Sequence, residues 1–238
     1  MRRIAILAYH KVGPPSPGAW ETWFSVPAVT FAEQLEALYA SGWETVDVGT
    51  FLRGLRDPVA LPERAAVITL DDGYRSALEF ALPALRRFGS RAVMFVPSGF
   101  VGRTNAFDED DEPQEPLCGW DELRELVGGG VSVQSHGVTH RRFSELTPAD
   151  RQIELERSKA ELEAALGEPV RLFAYPYGDD AGAPPELRKA LARAGYVAAC
   201  GYGGGPFRAT AADPYRLERV AMGPDTDLAA ALACGADD

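Results

Sequence analysis

Lysine and histidine are both scarce in this 238-residue chain: the only lysines are Lys11, Lys159 and Lys189, and the only histidines His10, His136 and His140. Positive charge is short as well, with 24 basic residues against 35 acidic ones and a net charge of -11. That field repels nucleic-acid phosphates and anionic membranes, so neither is expected as a partner, and a neutral or cationic one fits better. No apolar run approaches the length of a membrane span. Cys118, Cys200 and Cys234 are odd in number and far apart, which argues against a disulfide framework or a Cys-x-x-Cys metal site and leaves reduced thiols. Arg2-Arg3 before the apolar residues 4–8 imitates a signal peptide, but the run is short and ends at Tyr9-His10-Lys11 without a small-residue cleavage site. It reads as a buried strand, and the chain as cytoplasmic. The oligomeric state is left open.

What is present is alternation. Short apolar runs at residues 4–9, 45–48, 65–70, 92–96, 131–134, 172–175 and 197–200 read as strands buried on both faces. Between them lie amphipathic segments with helix-start chemistry, at Thr30 with Glu33 and at Thr147-Pro148 with Asp150. After Tyr74, apolar residues at Leu78, Ala81, Leu82, Leu85 and Phe88 keep helical spacing. About seven strand–helix units without a linker predict one α/β domain spanning residues 1–238, built as a distorted (β/α)7 barrel. Residues 102–119 break the pattern. With Asp108-Glu109-Asp110-Asp111-Glu112 at their centre they read first as a solvated acidic loop, and alternatively as a lid or a site for a cationic product. Because they follow a strand end, they are expected to border the active site.

Three constellations carry chemistry. Each histidine falls at or just beyond a strand end, the edge where parallel α/β folds place active sites. Asp71-Asp72-Gly73 closes the strand at 65–70; alone it is ordinary turn chemistry. On extended backbone the two carboxylates would point in opposite directions, leaving one to bind a metal while the other faces a bound water. Residues 173–178, Phe-Ala-Tyr-Pro-Tyr-Gly, end another strand in an aromatic turn beside Asp179-Asp180.

Together these residues resemble the polysaccharide deacetylase family, also called the NodB homology domain. Thr69-Leu70-Asp71-Asp72-Gly73 matches its Thr-Phe-Asp-Asp-Gly motif. His136 to His140 keeps the spacing of His-[Ser/Thr]-x-x-His, with Gly137 where a hydroxyl residue is usual. Ala8-Tyr9-His10-Lys11-Val12 is similar to the opening of one branch, and the match extends to residues 173–178, Trp120 and Arg219. The resemblance implies a divalent metal, most often zinc, held by Asp72, His136 and His140, a set that also suits catalytic zinc. It implies Asp71 as general base, the Tyr177 backbone N–H as oxyanion donor, and Trp120, Tyr175, Pro176 and Arg219 as substrate-binding residues. The substrate implied is an N-acetylated amino sugar or glycan, and the cytoplasmic reading tilts it towards a soluble biosynthetic intermediate over wall polymer.

The chain also departs from the family. The family's usual arginine two residues before the proline of the 173–178 motif is replaced by Ala174; Arg171 lies at an odd offset on the strand and faces the other side, which leaves Arg219 as the candidate replacement. No tryptophan follows Trp120 and no histidine follows His140, so the family's late acid is gone and His10 is expected to donate the proton to the leaving amine. Two rivals stay open: a related hydrolase of a cyclic amide or formamide, and a silent carbohydrate-binding barrel. Adjacent carboxylates cannot flank a glycosidic bond, which disfavours a glycosidase.

Overall fold

Strands form where the apolar runs lie. The computed structural model describes residues 2–210 and 212–233, so Cys234 lies outside the described residues, while Cys118 and Cys200 are buried free thiols. In chain order the parallel strands are β1 (Arg3–Tyr9), β2 (Glu44–Thr45), β3 (Arg64–Leu70), β4 (Ala92–Val96), β5 (Val131–Ser135), β6 (Leu172–Ala174) and β7 (Ala198–Cys200). Pairing runs β1-β3-β4-β5-β6-β7, with β2 added beside the start of β3. The sheet curls into a distorted (β/α)7 barrel.

Two local expectations need correction. The strand expected at 45–48 stops at Thr45, because Asp47 accepts a hydrogen bond from Thr50 N (2.8 Å) and caps a helix over Val48–Gly54. Thr30 is not a cap either. The helix Ala28–Ala40 already starts after Pro27, leaving Thr30 inside its first turn. The second predicted start holds: Thr147 Oγ1 accepts from Asp150 N, and Pro148 opens the helix Pro148–Leu166, which ends at left-handed Gly167. The segment after Tyr74 begins as a π-helical turn, Ala77–Ala81, and continues as the helix Leu82–Phe88.

Alternate residues sort into two apolar layers. Ile4, Ile6, Ala65, Val67, Val93, Phe95, Leu172 and Cys200 fill the barrel, while Leu7, Ile68, Met94, Val133 and Phe173 face the surrounding helices. Each buried Leu, Ile or Phe contributes on the order of 1.5–3 kcal/mol. Thr69 and Asp71 continue the inward parity of Ala65 and Val67, so the strand's own period delivers Asp71 to the barrel mouth.

Where a regular barrel would pair its last strand with its first, an irregular segment intervenes. Leu217 N donates to Ala199 O on β7, while Val220 and Ala221 pair in parallel with Leu7 and Ala8 of β1. First and last strands are therefore bridged rather than adjacent, and the bridge carries Arg219 into the interior.

Candidate active site

The site is built at the C-terminal ends of the strands, and its side chains are aimed by backbone that leaves the strand conformation at once. Asp72 has φ 69°, in the left-handed region. The two carboxylates therefore do not point apart as an extended chain would require: both line one cavity of about 290 Å³, with His10, His136, His140, Tyr175, Tyr177, Tyr202 and Arg219. His140 (φ 56°) and Tyr177 (φ 58°) take the same unusual conformation. Non-glycine residues held this way cost about 1–3 kcal/mol each and persist only where their surroundings fix them.

Around the second motif the fixing group is Glu154, buried on the helix Pro148–Leu166. Its carboxylate accepts from Val138 N (2.5 Å), Thr139 N (2.9 Å) and Thr139 Oγ1 (2.6 Å). Gly137 (φ 80°) passes so close that a Cβ there would lie 2.8 Å from Glu154 Oε2. A glycine thus stands where the family usually has a hydroxyl residue because this loop wraps the carboxylate. Glu154 is a residue that sequence reading missed; its signal was a charge sharing a helical stripe with Leu155, Ser158 and Leu162.

His136 and His140 present Nε2 to Asp72 Oδ1 at 3.4 and 3.0 Å. The three possible ligand atoms lie within 4.8 Å of one another, and all three residues are buried. His136 Nδ1 lies 2.7 Å from Ala174 O, so this nitrogen carries the hydrogen and donates it. Its Nε2 is then a lone pair facing a carboxylate oxygen, a repulsive arrangement unless a proton or a cation sits between them. Asp72 Oδ1 and His140 Nδ1 are buried without a hydrogen-bond partner of proper geometry. Burial opposes the charged form of Asp72, yet the histidines outweigh it and hold the carboxyl well below the usual carboxylate range. The donor set, its burial and the backbone anchor on His136 fit a divalent metal.

The other half of the site handles protons. Arg219, 1% exposed, donates from Nη1 to Asp71 Oδ1 (2.7 Å) and from Nε to Gly201 O (2.6 Å). Burial pushes the Asp71 carboxyl up, but Arg219, followed by His10 and His136, brings it below the ordinary value. The other Asp71 oxygen, Oδ2, lies 3.9 Å from His10 Nε2. Burial lowers the His10 pKa, and Asp72 and Asp71 only partly restore it. Its ring is wedged between Phe24 (4.7 Å between centroids) and Tyr202 (5.5 Å). Arg171 is exposed, in line with its odd offset.

Of the other residues expected to touch substrate, Tyr175 lines the cavity but ties its hydroxyl to Tyr215 O (3.1 Å). Trp120 and Pro176 are not among the lining residues: Trp120 packs its ring against the outer apolar layer and Pro176 is buried in its turn. The acidic loop is not simply solvated. Asp108, Asp111 and Glu112 line the cavity; Tyr177 Oη donates to Asp108 (2.6 Å), Lys11 pairs with Glu112 (2.5 Å), and the Phe107 ring lies 4.0 Å from that of His140. Phe24 and Tyr202 were not anticipated, since a lone aromatic in a loop carries no spacing signal.

Against known families, residues 59–199 match the model described as polysaccharide deacetylase. The chain belongs to that family. The family name carries removal of acetyl groups, and with the N-deacetylase among its relatives it indicates hydrolysis of a carbon–nitrogen amide bond. YxkH of Bacillus subtilis (strain 168), named for the same family, is 25% identical over 176 residues, 74% of this chain and 57% of the relative. The poly-β-1,6-N-acetyl-D-glucosamine N-deacetylase of Escherichia coli (strain K12) is 26% identical over 217 residues, 77% of this chain and 32% of the relative. This polysaccharide deacetylase chain thus spans roughly three-fifths and one-third of those two proteins. The Streptococcus pyogenes deacetylase PplD, solved with acetate, shares the fold at TM-score 0.81 and 22% identity, with 95% of each chain covered. No described helix is long and apolar enough to cross a membrane.

Proposed function

We propose that this chain is a metal-dependent N-deacetylase that hydrolyses the acetamide of an N-acetylated amino sugar in an oligosaccharide or polysaccharide. The observation that carries the reading is a division of labour in one cavity: three clustered ligand-type side chains, and beside them a separate carboxylate and a separate imidazole 3.9 Å apart. The name of the E. coli relative supports the acetylated amino sugar.

A divalent cation, zinc by preference, would be held by Asp72, His136 and His140 and would polarise the amide carbonyl and acidify a water. Asp71, kept ionised and oriented by Arg219, takes the proton of the attacking water as that water adds to the carbonyl carbon. The Tyr177 backbone N–H donates to the oxygen that becomes negative. Breaking the C–N bond then needs a proton on nitrogen, and His10 supplies it. Its depressed pKa leaves the resting ring neutral near pH 7, so the proton it delivers to nitrogen is the one that Asp71 has taken from the water. Acetate and a free amine leave.

A silent binding barrel would have no use for a buried Asp–His–His cluster whose facing lone pairs repel without a cation or proton between them. The test is acetate release by metal-loaded protein from acetylated amino sugars graded from monosaccharide to polymer, repeated with Asp71→Asn. Release that needs the metal and vanishes in Asp71→Asn supports the reading; release from a cyclic amide or formamide alone replaces it with the related-hydrolase reading.

A further inference from the structure

Beside the cavity stands an aromatic row with no part in the chemistry above. Trp23 is 41% exposed, yet it is held on three sides. Its Nε1 donates to Asp225 Oδ1 (2.7 Å). Its ring packs edge-on against Phe24 (centroids 5.6 Å, 82°). It also lies on the backbone of Gly223, where a Cβ would come within 2.3 Å of the indole. Phe24 in turn lines the cavity, 4.7 Å from His10 and 6.5 Å from Tyr202. An indole fixed this firmly but left open to solvent exposes apolar surface that none of the described residues covers.

We infer that Trp23 is the floor of a glycan subsite that receives the sugar residue adjoining the one whose acetamide is hydrolysed. This rests on the deacetylase reading. The cavity, at about 290 Å³, is at the small end of ligand pockets, which run from roughly 300 Å³ upward. It suits one sugar unit, so any chain must continue beyond the lining; Tyr177, also 41% exposed, lines the cavity but lies under Arg142 and holds Asp108, whereas Trp23, in ring contact with the lining through Phe24, keeps an open aromatic surface. The weakly positive C–H edges of a pyranose face complement the negative face of an aromatic ring. A ring that is already immobile adds little ordering cost on binding. A net charge of -11 argues against an anionic membrane as the occupant.

The test compares metal-loaded wild type, Trp23→Ala and Trp23→Phe on N-acetylglucosamine and on its β-1,4- and β-1,6-linked trimers, by acetate release and by calorimetric binding. Wild type should prefer a trimer. Trp23→Ala should raise KM for that trimer about three- to tenfold, the scale of one aromatic contact, with kcat and monosaccharide turnover unchanged. Trp23→Phe should keep most of the affinity. Unchanged monosaccharide turnover also shows that the variant is folded. If Trp23→Ala leaves the trimer's KM and binding unaltered, or impairs monomer and trimer equally, the subsite is overturned while the deacetylase reading stands. If wild type releases no acetate but binds a trimer through Trp23, the subsite stands and the deacetylase reading falls. Absence of both release and trimer binding overturns both.

Discussion

The two halves of the site are held in different ways. The ligand half, Asp72, His136 and His140, is set by local backbone: left-handed turns directly after two strands, locked by Glu154 and by the carbonyl of Ala174. The proton half, Asp71 and His10, depends on contacts between distant segments, above all Arg219, 148 residues from Asp71 in sequence. Local devices should fail locally when broken. The long-range ion pair should take stability and chemistry down together, because both of its charges are buried.

The sharpest break in that comparison is on the ligand side. Asp72→Asn should abolish divalent-metal binding, read by metal analysis, and bring acetate release to background while thermal stability changes little. Next in size is Arg219→Ala. It strands the buried Asp71 carboxylate and should cost about 3–5 kcal/mol of stability in denaturant unfolding. Whatever folds should also lose activity at a higher pH on acidification, because the main group that lowers the Asp71 pKa has gone.

His10→Ala should leave metal content intact and lower kcat on the order of a hundredfold. Its pH dependence has a definite sign. Burial depresses the His10 pKa below its ordinary value of about 6.5. A relay that starts from a neutral ring keeps full activity above the depressed pKa and loses it as pH falls through it. The His10 component of the acidic limb should disappear in His10→Gln, leaving only the fall caused by protonation of Asp71. The smallest effect is expected from Tyr177→Phe, which removes one hydrogen bond to the acidic loop at Asp108 and should change KM by a fewfold, with stability unchanged. Deleting residues 108–112 should likewise act on affinity more than on stability.

The same division explains what could be read from the sequence. Strand periodicity located six of the seven strands closely. It overran at 45–48, where the Asp47 cap competed with an apolar pattern and won. The motif residues His10, Asp71, Asp72, His136 and His140 converge because all follow strand ends, and strand ends are legible. Their directions were less so: the extended-chain argument for Asp71 and Asp72 fails since Asp72 turns left-handed, and no single residue type announces that. Arg219 is legible only through the resemblance and by elimination, because its segment fills the place between the first and last strands without regular periodicity. Trp120 and Pro176 were drawn in by resemblance, but they sit in packing positions outside the cavity lining.

In the proposed mechanism one divalent ion at Asp72, His136 and His140 makes Asp71 and His10 competent to cleave an acetamide. This is tested most directly by titrating zinc into chelator-treated protein while counting bound metal and acetate released from an N-acetylglucosamine oligomer. One ion should bind per chain, with activity rising in proportion to occupancy and with neither binding nor activity in His136→Ala. Acetate release that is undiminished without metal, or full zinc occupancy in His136→Ala, would contradict it.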